Sequence, residues 1–357
     1  MMKSLRLLLL PFGILYASVV EIIKYLYQAG WLRSKRSEIA TIVIGNLSTG
    51  GTGKTPHAEY IINYLWKFHK IAVLSRGYGR KSKGFRAVLP VDNAEETGDE
   101  PLQIAKKFPE VPVFVSEKRP EGIEKILKAK PETQLLILDD AMQHWPLRAD
   151  SYIMLTTWQQ PFFNDYPLPA GSLREFRNGY KRANIIIVSK CPKDISVQQK
   201  DEFLRYLNPL PKQKVFFSYF EYSNPYLFEK PDQSIALEQL DSRQVLLITG
   251  IAIPEVMEAA LIQQGASLHK IRYADHHFYD NHDILYIFKK WKEISAKSEN
   301  SIIITTEKDA TRLSKLFPQN IPLYILPVNV EIAFDKAPEL QRALVEVMYR
   351  KKGYPGS

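Results

Sequence analysis

The residues best equipped for chemistry lie in one run, Thr41-Ile-Val-Ile-Gly-Asn-Leu-Ser-Thr-Gly-Gly-Thr-Gly-Lys-Thr-Pro56. An apolar stretch leads into three glycines, a lysine and a threonine. Gly50, Gly51 and Gly53 let backbone N–H groups turn inward toward phosphate oxygens. A helix opening near Thr55 adds its N-terminal partial charge. Ser48, Thr49 and Thr52 complete the cradle. Lys54 can reach terminal phosphates, and the Thr55 hydroxyl can ligate Mg²⁺. The pattern departs at Ser48, where the full motif has glycine. The chemistry expected is binding of ATP with Mg²⁺.

A second run, Leu135-Leu-Ile-Leu-Asp139-Asp140, is an apolar strand ending in two carboxylates. Mg²⁺ takes oxygen ligands and keeps several waters, so one or two carboxylates suffice beside phosphates. Thr97-Gly-Asp99-Glu100-Pro101 puts two more acids at a helix start. Asp99 with Pro101 reads as an ordinary cap, and also as a base for a hydroxyl nucleophile; Glu100 is a further candidate metal ligand. Ser75-Arg76-Gly-Tyr78-Gly-Arg80 continues to Arg86 with five basic residues and no acid. It reads as a solvated hairpin or as a binder of phosphate or anionic lipid. Arg119 follows a strand end, where α/β proteins place ligands. Asp275-His276-His277 reads as a base or substrate-positioning histidine with an acidic partner rather than a metal site, since no other His or Cys sits at ligand spacing.

These residues need a scaffold. Short apolar runs at Ile71–Ser75, Val111–Val115, Leu135–Leu138, Tyr152–Leu155 and Ile185–Val188 read as buried strands, with helices near 55–68, 100–107 and 120–130 between them. That alternation predicts a mainly parallel sheet covered by helices. Val215–Phe220 reads as an edge strand. A polar, proline-containing stretch, 223–243, reads as a linker. A second α/β block follows, with strands at Val245–Thr249, Leu268–Tyr273, Ser301–Thr305 and Leu323–Leu326 and helices near 254–264, 282–295 and 335–350. The expected organisation is an N-terminal helical segment (1–36), a phosphate-loop NTPase core (37–222), the linker and a smaller C-terminal α/β lobe (244–357), with a cleft between the lobes.

The N-terminal segment carries Lys3, Arg6, Lys24, Arg33, Lys35 and Arg36 against Glu21 alone. The apolar tract Leu7–Val20 between these charges would span roughly 21 Å as a helix, short of the roughly 30 Å hydrocarbon core. Pro11 and Gly13 interrupt it. From Ile14 onward a polar stripe of Ser18, Glu21, Lys24 or Tyr25, and Gln28 recurs at helical spacing. The tract reads as an amphipathic, membrane-associated helix with a basic collar. A secretory signal peptide would export an ATP site and lacks a clean cleavage site. A helix simply packed on the domain is the plainer alternative. With 357 residues, 45% hydrophobic, the chain has ample core material for two lobes. Its single cysteine excludes an intramolecular disulfide and suits a reducing compartment. The net charge of +9 favours anionic partners. A nucleic-acid binder would explain the charge but not the apolar N-terminus, and no recognition motif is present.

Together these segments resemble the tetraacyldisaccharide 4′-kinase family. The resemblance runs from Gly45–Pro56 through Ser75–Arg80, Gly98–Pro101, Leu138–His144, Leu168–Glu175, Arg182–Asn184 and Thr249–Ala252 to Asp275–His277 and Thr305–Asp309. It implies a membrane-associated phosphate-loop kinase that moves the ATP γ-phosphoryl to the 4′-hydroxyl of a tetraacylated glucosamine disaccharide 1-phosphate, at the cytoplasmic face of the inner membrane. It implies catalysis by Lys54, Asp99 and His276, and metal ligation by Thr55, Asp139, Asp140 and Glu100. Substrate contacts are implied at Arg76, Tyr78, Arg119, Gln143, His144, Arg174 and His277. The family pattern has Gly-Phe where this chain has Ala141-Met142, and Asn where Ile253 stands. A partitioning or arsenite-pump type ATPase is the rival reading, but its signature lysine before the double glycine is replaced by Thr49. A non-catalytic, nucleotide-dependent membrane-binding module would not need Asp99, Asp139, Asp140 and His276 together.

Overall fold

Buried β-branched runs and amphipathic helices assemble into two sheets whose C-terminal strand ends face a shared cavity. The computed structural model describes residues 6–313, 316–318 and 321–351; Lys3 of the basic collar lies outside them. In chain order, the first part contains α1 (Leu10–Gln28), β1 (Ala40–Asn46), α2 (Lys54–Leu65), β2 (Ile71–Ser75), β3 (Arg86–Val88), α3 (Asp99–Lys107), β4 (Val113–Val115), α4 (Arg119–Ala129), β5 (Leu135–Asp139), β6 (Ser151–Thr157), β7 (Ile185–Ser189), α5 (Val197–Leu207) and β8 (Lys214–Tyr222). The remainder contains β9 (Tyr226–Leu227), β10 (Lys230–Ser234), β11 (Gln244–Thr249), α6 (Glu255–Gln263), β12 (Ser267–Arg272), α7 (Asn281–Ser295), β13 (Ser301–Thr306), α8 (Glu307–Leu313), β14 (Leu323–Leu326), β15 (Val328–Ile332) and α9 (Ala337–Lys351).

The larger sheet has the order β15-β8-β7-β6-β1-β5-β2-β4-β3, parallel except at its two edge strands. Its central strands are buried on both faces, as parallel strands covered by helices must be. Ile42 and Ile44 of β1 face one apolar cluster with Ile61, Ile62 and Leu344; Val43 faces the other with Ile126 and Phe203. β1 lies between β5 and β6, so the loop after it opens at the point where the strand order reverses. Ligands bind there in open α/β sheets. The smaller sheet, β10-β9-β14-β13-β11-β12, repeats this arrangement with β11 between parallel neighbours β13 and β12.

The hydrogen bonding departs from the expected partition in two places. The stretch read as a linker contributes β9 and β10 to the smaller sheet. β15 leaves that sheet and pairs antiparallel with β8 of the larger one, while α9 packs Leu340, Leu344 and Val347 into the larger core. β8 is therefore not an edge strand, and the C-terminal segment belongs to the first lobe.

The N-terminal helix also differs. It is continuous over 19 residues, and it is the only helix among the described residues long and apolar enough to cross a membrane, by length and composition alone. The helix therefore runs well past the apolar tract Leu7–Val20, to Gln28. Pro11 sits in the first turn, where its missing N–H costs nothing. A Cβ on Gly13 would meet the Pro167 carbonyl oxygen at 2.9 Å, so glycine permits close docking. The docked stripe is Gly13, Ala17 and Lys24. Leu8, just before the helix, and Phe12, Leu15 and Ile22 within it are more than half exposed. Small and polar residues thus face the body, and apolar residues face outward.

Candidate active site

The phosphate loop is held from beneath. Asn46 at the end of β1 donates from Nδ2 to Thr52 Oγ1 at 2.9 Å. Gly50 and Gly53 have φ of +98° and +83°, a region that favours glycine. A Cβ on Gly53 would also lie 2.8 Å from the Phe220 ring. His57, fully buried on α2, places Nδ1 2.7 Å from the Gly53 carbonyl oxygen and Nε2 2.9 Å from Ser218 Oγ. Burial drives its pKa down to about 4, so the neutral ring donates through Nδ1–H. Sequence reading missed His57; its signal was a histidine one turn into the helix that follows the loop.

A cavity of about 790 Å³ opens above this loop. Its wall takes Thr49–Thr55 from the loop, Ser75 at the end of β2, Arg76 and Tyr78 after it, and Asp140, Gln143 and His144 after β5. Ile251–Ile253, Asp275, His276 and Thr306–Lys308 close it from the smaller sheet. Tyr16 and Val20 of α1 reach its other end. Ser48 is not part of the wall; it forms a backbone bridge with Leu173. Ile253 stands on the wall, and Ala252 touches the loop: a Cβ on Gly51 would be 3.0 Å from the Ala252 Cβ. Ala141 and Met142 are buried, with Met142 filling the space above Gly45.

The acids at the end of β5 have different environments. Asp139 is buried; it accepts from Ser75 Oγ at 3.2 Å through Oδ2, while Oδ1 has no hydrogen-bond partner. Burial, with Glu100 and Asp140 adding to it, raises its pKa to about 7. An orphaned buried carboxylate oxygen beside a phosphate cradle fits a hydrated Mg²⁺. Burial would raise Asp140 too, but Lys54, 3.7 Å away, and Arg174, at 2.9 and 3.1 Å, hold it low. Thr55 is buried on the cavity wall and completes a hydroxyl–carboxylate set that would hold the ion. Glu100 also lines the cavity, with Lys308 3.4 Å away.

Across the cavity, His276 Nδ1 lies 2.9 Å from Asp99 Oδ2. Asp99 is almost fully buried and is not on the cavity wall; His276 is. Burial would raise Asp99, yet the His276 hydrogen bond, Lys308 and Arg312, 3.3 Å away, bring it to about 2. Burial would lower His276, yet Asp99 raises it above the usual imidazole range. With Nδ1–H donated to Asp99, Nε2 keeps its lone pair, which faces Lys308 Nζ at 3.3 Å. Asp309 ties this end of the smaller sheet together. It accepts from Gly250 N–H at 3.0 and 3.1 Å, from Tyr279 O–H at 2.9 Å and from Thr306 O–H at 2.7 Å.

The remaining candidates divide. Arg76 and Tyr78 face the cavity, and the Tyr78 ring lies 5.5 Å from the His276 ring. Most of the basic loop, however, is neutralised: Arg80 pairs with Glu117, Lys81 with Glu95 at 2.9 Å and Arg86 with Asp92 at 2.7 Å. Arg119 is buried and donates to the Ser116 and Asp139 carbonyl oxygens, fixing the two strand ends. Gln143 donates to the Asn46 carbonyl oxygen at 2.9 Å and to Glu175 at 2.8 Å. His144 is held neutral, its pKa lowered to about 4 by burial and by Arg119 and Arg76. Arg174 is bound to Asp140. His277 does not join this set. It turns into the second lobe, stacked on Tyr273 with Nε2 2.7 Å from Asp283.

A phosphate cradle, a pair of acids with one oxygen unsatisfied and a histidine–carboxylate pair opposite define a phosphate-loop phosphotransferase. The comparisons narrow this. Residues 5–349 match the family model described as tetraacyldisaccharide-1-P 4′-kinase. A tetraacyldisaccharide 4′-kinase of Flavobacterium psychrophilum is 43% identical, covering 94% of this chain and 96% of that protein. One from Bacteroides thetaiotaomicron is 40% identical, covering 91% and 88%. The crystal structure of the "apo" form of LpxK from Aquifex aeolicus in complex with ATP superposes with a TM-score of 0.74 at 27% identity, covering 97% of this chain and all of that one. The chain belongs to the tetraacyldisaccharide 4′-kinase family.

Proposed function

We propose that this chain transfers the γ-phosphoryl group of ATP to the 4′-hydroxyl of a tetraacylated glucosamine disaccharide 1-phosphate, a step of lipid A assembly, at the cytoplasmic face of the inner membrane. The observation that carries the reading is the single cavity joining the phosphate loop, His276 and the outward-apolar helix α1. A nucleotide site alone needs neither of the other two.

In this reading His276 takes the proton. Nε2 exchanges its contact with Lys308 for the sugar hydroxyl and accepts its proton as that oxygen bonds to the γ-phosphorus and the bond to the β–γ bridging oxygen breaks. Asp99, kept off the cavity wall, orients the ring and stabilises the imidazolium. The sequence expectation made Asp99 the acceptor with a nearby histidine sharing the proton; here the proton is placed on His276 because His276, not Asp99, stands on the cavity wall. Lys54 steadies charge developing on the migrating group. Thr55 and Asp139 are the residues that would hold Mg²⁺, whose chemistry there would be neutralisation of phosphate charge. Arg76, Tyr78 and His144 line the part of the cavity assigned to the sugar, while Arg119, Gln143 and Arg174 brace it.

The membrane assignment rests on α1. Its apolar face is bare, while its small and polar face is fastened along its length: Gly13 against Pro167, Asn178 Nδ2 to Glu21 at 3.4 Å and Arg148 to the Tyr27 carbonyl oxygen at 3.2 Å. A helix so fastened lies in the interface rather than crossing it, which makes the protein peripheral or monotopic. The test is transfer of label from γ-labelled ATP to a tetraacylated disaccharide 1-phosphate in mixed micelles. ATP hydrolysis without labelled lipid would overturn the reading and favour the membrane-binding ATPase.

A further inference from the structure

Lys190 has no part in the mechanism above and was not singled out in the sequence. It stands one residue beyond the end of β7, on the cavity wall over the phosphate loop. Only 7% of it is exposed. A Cβ on Gly51 would lie 3.7 Å from its Nζ, and the Phe220 ring centroid is 5.8 Å from the ammonium. Among the described residues it forms no ion pair; Glu255 at the start of α6 and Asp275 after β12 act on it only from a distance. Its backbone adopts φ of +56°, which for a lysine is strained and costs stability.

A buried ammonium without a paired counter-charge is expensive, and sites that keep one are built for an anion. Gly51 belongs to the glycine-rich loop on the cavity wall, and loops of this kind present backbone N–H groups to phosphate. His57, beneath the loop, is held neutral and supplies no rival charge. We infer that Lys190 is a second phosphate-directed lysine, binding the polyphosphate chain of the nucleotide in addition to Lys54. The inference rests on the nucleotide reading of the cavity. It divides the labour between two lysines. Lys54 lies beside Asp140 and serves transfer; Lys190 lies beside Gly51 and serves affinity. Burial brings Lys190 to about 8, with Glu255 and Asp275 offsetting part of the effect. Contact with phosphate favours its charged form, so nucleotide binding above that pH takes up a proton.

The test is calorimetric binding of ATP, ADP and adenosine to the full-length protein and its Lys190→Met and Lys190→Arg variants. Lys190→Met is expected to weaken ATP and ADP by about ten- to a hundredfold, the scale of a charge-assisted contact, and to leave adenosine unchanged. Lys190→Arg should recover most of the ATP affinity. The melting temperature of the nucleotide-free Lys190→Met protein should not fall, since no internal ion pair is lost. Wild-type ATP affinity should decline as pH rises past about 8, and that slope should vanish in Lys190→Met. Unchanged ATP affinity in Lys190→Met, or an equal loss for ATP and adenosine, overturns the inference. A wild-type protein that binds no ATP overturns the nucleotide reading itself.

Discussion

His276 Nδ1 lies 2.9 Å from Asp99 Oδ2, joining positions 177 residues apart, one from each lobe. The pair forms only when the C-terminal ends of the two sheets approach, so closure and proton transfer share one contact. His276→Ala and Asp99→Ala should each lower kcat by about a hundredfold while moving ATP affinity only a few fold. The double variant should lose far less than the product of the two. Multiplicative losses would mean that the residues act separately.

The pair also sets a pH dependence. Asp99 raises the His276 pKa, and the protonated ring cannot accept a proton. Turnover should therefore rise with pH through an inflection above the usual imidazole value of about 6.5. Replacing Asp99 with Asn removes the raising charge, so the inflection should move to lower pH. A kcat–pH profile of the two proteins decides the matter; coincident inflections would remove His276 from the proton transfer.

Lys54→Ala should reduce turnover by about a hundredfold or more, because a charge matched to the migrating phosphoryl group is lost. Asp139→Asn should instead raise the Mg²⁺ concentration required for half-maximal activity. Near-normal turnover in a folded Lys54→Ala protein would break the assignment of the loop.

The exposed face of α1 predicts lipid binding separable from folding. Replacing Phe12, Leu15 and Ile22 with Ser should release the protein from anionic vesicles in a sedimentation assay without lowering its melting temperature, since these side chains touch little of the body. The apparent KM for lipid should rise while that for ATP holds. A large drop in melting temperature would show that the face packs on protein after all.

A buried acid tunes stability away from the chemistry. Glu59 on α2 shares Lys107 with Glu307 of α8, at 2.7 and 2.8 Å. Burial and the neighbouring Glu307 raise its pKa to about 7. A carboxyl raised in the folded state stabilises fully below its unfolded pKa, and that contribution is lost as pH rises through about 7. Glu59→Gln, neutral throughout, should therefore be more stable than wild type at pH 8 by about 1 kcal/mol or more, and nearly equal to it near pH 5. Denaturant unfolding at the two pH values measures the difference.

Much of the site was legible because it is local. The phosphate loop, the acids ending β5 and the acids opening α3 each lie within a few residues of one strand or helix, and the periodicity placed those elements to within three residues. What was hidden depends on contacts between distant segments. β15 reads Val-Asn-Val-Glu-Ile, a half-buried alternation that says nothing about which sheet it joins. β9 is two residues long and β10 is polar; β9 is a strand only through pairing with β14, and β10 only through pairing with β9. Lys190 and His57 gain their roles from what lies above and below the loop. His276 and His277 are equivalent in sequence; the φ of +60° at His276 turns the two side chains apart.

The excursion of β15 and α9 back to the larger sheet bears on how the protein comes to be folded. The smaller sheet is, in effect, an insertion between two neighbouring strands of the larger one, with both crossings side by side where Ser223 N–H bonds the Pro327 carbonyl oxygen at 3.1 Å. During synthesis β8 must wait as an unpaired edge while about a hundred residues are made, and such edges invite wrong partners. The inserted lobe can complete its own sheet in that interval. The nucleotide-binding half, although made first, reaches its finished form last, once residues 328–351 have closed it.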